Sequence, residues 1–172
     1  MSYSVPVKQT IFDGHAFRSR TEARFAVFFN EMNIEYKYEP HCYEFPLSPH
    51  SVLLATHPSK TIKYIPDFFM PILQVFIEIK PNVPNTIECI KAFLLSKKTG
   101  LPVFVCWDVK KMHMIAFFPD ERIELNYTFK MCTSCNDCFI TNSSRGACIC
   151  GLHTNKHPIL MRATLRAISH DF

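Results

Sequence analysis

The sequence predicts an α/β protein in which helices flank a mixed central β-sheet and a small cysteine-rich segment follows. Three observations predict it. Leu73, Val75, Ile77 and Ile79 alternate with Gln74, Phe76, Glu78 and Lys80, which is the period of a strand. A helical pattern after Asn85 then separates this strand from the apolar run Leu101-Pro-Val-Phe-Val-Cys-Trp107, a strand–helix–strand crossover that implies a parallel pair. Finally, five of the eight cysteines fall between Cys132 and Cys150.

Length and composition set the frame. The 172 residues suit one core domain, expected at 1–125, followed by a zinc-binding segment and a C-terminal helix at 126–172. With 48% apolar and 20% charged residues, the chain is not a disordered tail. Its formal charge of +4 permits nucleic-acid binding without demanding it. The N-terminus lacks the apolar run of a signal peptide, and no window approaches the roughly 20 apolar residues of a membrane span. The expectation is an intracellular protein with reduced thiols and no membrane partner. Cys42, Cys89 and Cys106 then read as small core residues.

In chain order, Asp13-Gly14 marks a turn. Phe25, Phe28, Phe29 and Met32 follow the spacing of an amphipathic helix, and Asn33 is a left-handed cap after it. Ser19-Arg-Thr-Glu22 spells a capping box, with Glu22 bonding back to the Ser19 amide. Glu22 also shares the face of Phe25 and Phe29. Arg18, Arg20 and Arg24 crowd the positive end of the helix dipole, where an anion such as phosphate would account for them. Glu35 to Glu39 alternates as a strand ended by Pro40, and His41 to Phe45 extends or pairs with it. Pro46 to Lys60 reads as a loop in which His50 and His57 are solvated. Ile62 to Phe69 reads as the first arm of a hairpin whose second arm is the Leu73–Lys80 strand, the chain turning after Met70-Pro71. Asn85-Thr86 starts the next helix, with Ile87, Ile90, Leu94 and Leu95 as its apolar face and Gly100 as its cap. On it, Glu88 and Lys91 are spaced to pair on the surface, and Lys91 can alternatively meet a phosphate. Met112 to Phe118 pairs with the Val103 strand after a turn at Asp108 to Lys111.

The chemistry gathers on the hairpin. Folding the chain between Pro71 and Gln74 sets Asp67 opposite Glu78 and puts Lys80 on the same strand face. A hard divalent cation such as Mg²⁺ is held by one or two carboxylates together with phosphate and water, and Asp67 and Glu78 suit that role. Lys80 would orient a nucleophilic water and offset charge in the transition state. The plain alternative is a salt bridge from Lys80 to Asp67 or Glu78 at a sheet edge.

Pro66-Asp67, ten residues, then Glu78-Ile79-Lys80 resembles the PD-(D/E)xK nuclease superfamily. The resemblance covers about Phe17 to Phe118, with Phe17 to Ala26, Tyr38-Glu-Pro40, Tyr64-Ile-Pro-Asp-Phe68 and Ile77-Glu-Ile-Lys-Pro81 in the family's order. It implies a restriction-endonuclease-like core that cleaves DNA phosphodiesters with Mg²⁺ or Mn²⁺. Asp67 and Glu78 would be metal ligands, with the Ile79 carbonyl a third. Lys80 would be the catalytic lysine and Glu22 the helix carboxylate. A homodimer or a partner protein in a DNA-processing complex is compatible with it. The competing expectation is a non-catalytic, zinc-containing nucleic-acid-binding or assembly subunit.

Behind the core, Cys132-Thr-Ser-Cys135 and Cys148-Ile-Cys150 form a C-x₂-C…C-x-C pattern suited to a structural Zn²⁺ site. Asn136 and Gly151 follow the two pairs and permit tight turns there. Cys138, His153 and His157 stand as reserve ligands. Pro158 to Phe172 reads as a helix, with Leu160, Met161, Leu165 and Ile168 on one side and Arg162 and Arg166 outside.

Overall fold

The computed structural model describes residues 9–46, 61–132, 134–135, 137–142 and 158–172, with the backbone alone described for 158–161. Its strands are β1 (Thr10–Phe12), β2 (His15–Phe17), β3 (Lys37–Tyr38), β4 (Tyr43–Pro46), β5 (Thr61–Tyr64), β6 (Phe68–Met70), β7 (Val75–Lys80), β8 (Val103–Trp107), β9 (His113–Phe117), β10 (Ile123–Met131) and β11 (Cys138–Thr141). Its helices are α1 (Arg20–Glu31), α2 (Thr86–Thr99) and α3 (Pro158–Ser169). The fold is α/β. A seven-stranded sheet runs in the order β11-β10-β9-β8-β7-β6-β3, and β1-β2 and β4-β5 form two-stranded sheets. β6 and β7 are antiparallel whereas β7 and β8 are parallel, so the sheet is mixed, as the α2 crossover implies.

The chain divides into two compact units. The first draws on residues up to Glu35, Asp108–His113 and those from Tyr127 onward, so it takes residues from both sides of the boundary expected at 125/126. It opens with a β1–β2 hairpin whose two-residue loop, Asp13-Gly14, is left-handed at both positions, as the right-handed twist of a tight hairpin requires. Ser19 caps α1, its hydroxyl accepting from the Glu22 amide. The helix closes on a doubly bonded left-handed turn. Asn33, at φ 53°, donates to the Asn30 carbonyl, and Ile34 donates to that of Phe29. Phe25, Phe28 and Phe29 are fully buried, and Phe28 and Phe29 both pack on Phe129 of β10.

α3 packs on α1, and the face it buries differs from the expected one. Ala163 and Ala167 are fully buried while Leu165 is 60% exposed. Small side chains let two helices approach closely, so the contact rests on the alanines and not on the leucine. Arg162 and Arg166 both reach Glu31 across this contact.

The second unit comprises Tyr36–Trp107 and Met114–Asn126. Its core packs Phe45, Ile62 and Tyr64 of the β4–β5 sheet with Phe76, Val103, Val105 and Phe117, under Ala92 and Leu95 of α2. α2 begins with a full capping box, Asn85 and Glu88 each accepting the other's amide, and ends on left-handed Gly100. β7 is buried on both faces, as suits a strand with neighbours on either side and helices against the sheet.

Three strand expectations change. Leu73 and Gln74 belong to the turn, since Gln74 sits at φ 53° and its side-chain amide bonds back to the Pro71 carbonyl, so the alternating strand starts only at Val75. The Ile62–Phe69 arm splits at Ile65-Pro66, where proline removes an amide donor and holds Ile65 extended. Its first half pairs with β4, and only Phe68–Met70 pairs with β7. The Glu35–Glu39 strand shrinks to Lys37–Tyr38, because Glu39 turns at φ 45°.

Candidate metal-binding active site

The β6–β7 register pairs Phe68 with Ile77, which sets Asp67 opposite Glu78, and the ring pair Phe69–Phe76 at 4.9 Å locks it on the adjacent rung. Glu78 and Lys80 lie two residues apart and share a face with Phe76, whose neighbours are the apolar groups under α2. This strand face is hydrocarbon at its start and charged at its carboxyl end. In open α/β sheets that end is where ligands bind.

Asp67 and Glu78 are 2% and 5% exposed. The Asp67 amide donates to Glu78 Oε2 at 3.3 Å, and the Ile79 amide donates to Asp67 Oδ2 at 2.7 Å. The Asp67 carbonyl in turn accepts the Glu39 amide at 2.8 Å. Three backbone-anchored bonds therefore fix Asp67 through its amide, its carbonyl and its carboxylate. Lys80 Nζ donates to Glu78 Oε1 at 2.5 Å and stands 3.8 Å from Glu88 Oε1. Burial alone would lower the Lys80 pKa, but the charges of Glu78, Asp67 and Glu88 outweigh it and hold the ammonium above the ordinary lysine value. Lys80 stays a cation.

Sequence reasoning missed two further residues. Spacing pairs Glu88 with Lys91, yet one of its oxygens caps α2 through the Asn85 amide and the other faces Lys80. The spelling Asn85-x-x-Glu88 is the signal that reveals this capping role. Tyr64 is the other. Its hydroxyl is buried without a hydrogen-bond partner and lies beside Glu78. Burial first, then the carboxylates of Glu78, Asp67 and Glu88, hold its pKa well above the ordinary tyrosine value. A tyrosine in a stretch where phenylalanine would fill the same core space is the only hint the sequence carries.

Asp67, Glu78, Ile79 and Lys80 thus come together in the second unit, as expected, and Lys91 lies on α2 of the same unit. Glu22, Arg18, Arg20 and Arg24 belong to the first unit. Glu22 is 7% exposed, and its carboxylate accepts the Ser19 hydroxyl at 2.7 Å instead of the expected Ser19 amide. Arg18 and Arg20 are exposed, whereas the Arg24 Nε is buried without a hydrogen-bond partner.

Two buried carboxylates, Asp67 just before β6 and Glu78 on β7, beside an orphaned hydroxyl, fit a hard cation that takes its remaining ligands from water and phosphate. Among the described residues no three His, Cys, Asp or Glu side chains form a metal-holding group. In the cysteine segment, Cys132 is buried, its sulfur accepting the Ser134 amide at 3.4 Å, and Cys135 is exposed. Burial pushes the Cys138 thiol up to about 12. Cys148, Cys150, His153, His157, Asn136 and Gly151 lie outside the described residues, as do His50 and His57. Among the described residues no helix is long and apolar enough to cross a membrane. No protein-family model, curated protein or solved structure matches the chain.

Proposed function

We propose that this chain is a divalent-metal-dependent DNA endonuclease of the PD-(D/E)xK kind. One observation carries the reading: Asp67 and Glu78, both buried, are clasped together across β6 and β7 with Lys80 against Glu78. Burying two carboxylates is costly for a core that has no use for them. In this reading Asp67, Glu78 and the Ile79 carbonyl hold Mg²⁺ or Mn²⁺. Such an ion polarises a phosphoryl oxygen and acidifies a bound water. Lys80, kept charged by its neighbours, donates to the attacking water and offsets negative charge at the scissile phosphate. Arg18, Arg20 and Arg24 of the first unit and Lys91 of the second meet DNA phosphates. Cys132, Cys135, Cys148 and Cys150 hold a structural Zn²⁺.

The test is a cleavage screen over supercoiled, linear, single-stranded and branched DNA with Mg²⁺ and Mn²⁺. Cleavage that is lost in folded Asp67→Asn and Lys80→Ala variants supports the reading, and full cleavage by folded Asp67→Asn overturns it. The Lys80–Glu78 contact favours a second reading, in which the cluster is a structural ion pair of a non-catalytic nucleic-acid-binding or assembly subunit. That protein would bind DNA equally with and without EDTA and cut none.

A further inference from the structure

Tyr64 is the last residue of β5, three residues before Asp67. Its ring belongs to the apolar core, 6.4 Å from that of Phe45 and packed with Phe76, Ala92 and Leu95. The residue is 7% exposed, and its hydroxyl is buried without a hydrogen-bond partner. Phenylalanine would fill the same space and leave nothing unsatisfied, so packing does not account for the oxygen. Its polar surroundings do. The hydroxyl lies beside Glu78, whose Oε1 is taken by Lys80 and whose Oε2 receives only the long bond from Asp67. A carboxylate has about four acceptor positions, so Glu78 has room for another donor.

We propose that Tyr64 is a positioning residue of this site, its unpaired hydroxyl donating to the Glu78 carboxylate when a divalent cation is bound and fixing that group as a ligand. The inference rests on the metal-binding reading of Asp67 and Glu78. A donor behind a ligating carboxylate holds its orientation, and loss of such a donor typically weakens metal affinity 10- to 100-fold. Tyr64→Phe deletes that donor and keeps the ring.

Calorimetric titration of the full chain with Mn²⁺ alone, without DNA, tests it. The comparison is between wild type, Tyr64→Phe and Asp67→Asn, each checked by metal-free thermal unfolding. The expected result is that Tyr64→Phe binds Mn²⁺ at least about tenfold more weakly while its metal-free melting temperature is unchanged or higher. Wild-type affinity in Tyr64→Phe overturns the assignment and leaves the nuclease reading standing. A Tyr64→Phe protein that loses its fold makes the hydroxyl structural and overturns it too. Wild-type protein that binds no Mn²⁺ overturns both.

Discussion

Asp67 and Glu78 hold each other's strand. The Glu78 carboxylate accepts the Asp67 amide, and the Asp67 carboxylate accepts the amide of Ile79, the residue after Glu78. Both acids are therefore placed by the backbone of the opposite strand. A site built this way keeps its geometry as well as the sheet does.

The clasp decides which substitution separates chemistry from folding. Asp67→Asn keeps an oxygen for the Ile79 amide, so its unfolding free energy should stay within about 1 kcal/mol of wild type. Asp67→Ala leaves that buried amide unsatisfied and should cost a further 1–3 kcal/mol or so. Urea unfolding of the two variants checks this. Equal stabilities would mean that the Ile79 amide does not depend on Asp67.

Lys80→Met leaves Glu78 buried without its cation. Breaking a buried pair costs roughly 3–5 kcal/mol, and the partly exposed Lys80 side chain points to the lower end, about 3 kcal/mol. The pH dependence follows from the raised pKa of Lys80. A group whose pKa rises on folding contributes fully below its unfolded value, near 10.4 for lysine, and loses that contribution as pH climbs through the folded value. The difference between wild type and Lys80→Met should stay flat from neutral pH to about 10 and shrink only above it. Urea melts across that range measure it, and a difference that collapses by pH 8 would contradict the ion pair.

α3 supplies a test of packing. Ala167→Leu inserts bulk into the buried contact and should destabilise by about 1–3 kcal/mol. Leu165→Ser, at an exposed position, should stay within about 0.5 kcal/mol. Thermal melts of both variants decide it, and the reverse order would mean that the helix packs by its leucine.

The thiols give a chemical readout of the C-terminal segment. Elemental analysis of purified protein should find Zn²⁺, and Cys148→Ser should lose it. After zinc removal, alkylation at pH 8 followed by mass spectrometry should label exposed Cys42 and Cys135 first. Cys138, its thiol pushed up to about 12, carries about a thousandfold less thiolate and should label far more slowly. Comparable rates at Cys138 and Cys42 would overturn that assignment of burial.

Much of this was legible in the chain itself. The phenylalanine spacing of α1 names its buried face, because an amphipathic helix has one period and large rings have one place to go. Asn33 and Gly100 mark helix ends, since few other residues accept a left-handed backbone cheaply. The hairpin turn also fixes the Asp67–Glu78 rung, because a short loop leaves one register that buries the apolar face.

Tertiary structure decided the rest. Alternation marks Ile62–Tyr64 as a strand but cannot say that its partner is β4 and not β7, since pairing depends on distant chain. Spacing pairs Glu88 with Lys91, and only the packing of α2 brings it to 3.8 Å from Lys80. α3 shows the same limit: its pattern puts Leu165 on the apolar side with Leu160, Met161 and Ile168, yet Ala163 and Ala167 are buried and Leu165 is exposed. Local pattern determined which residues turn, cap and alternate, because those preferences are set within a few bonds. Which carboxylate meets which lysine, and that the Tyr64 hydroxyl is buried without a hydrogen-bond partner, followed only from long-range packing.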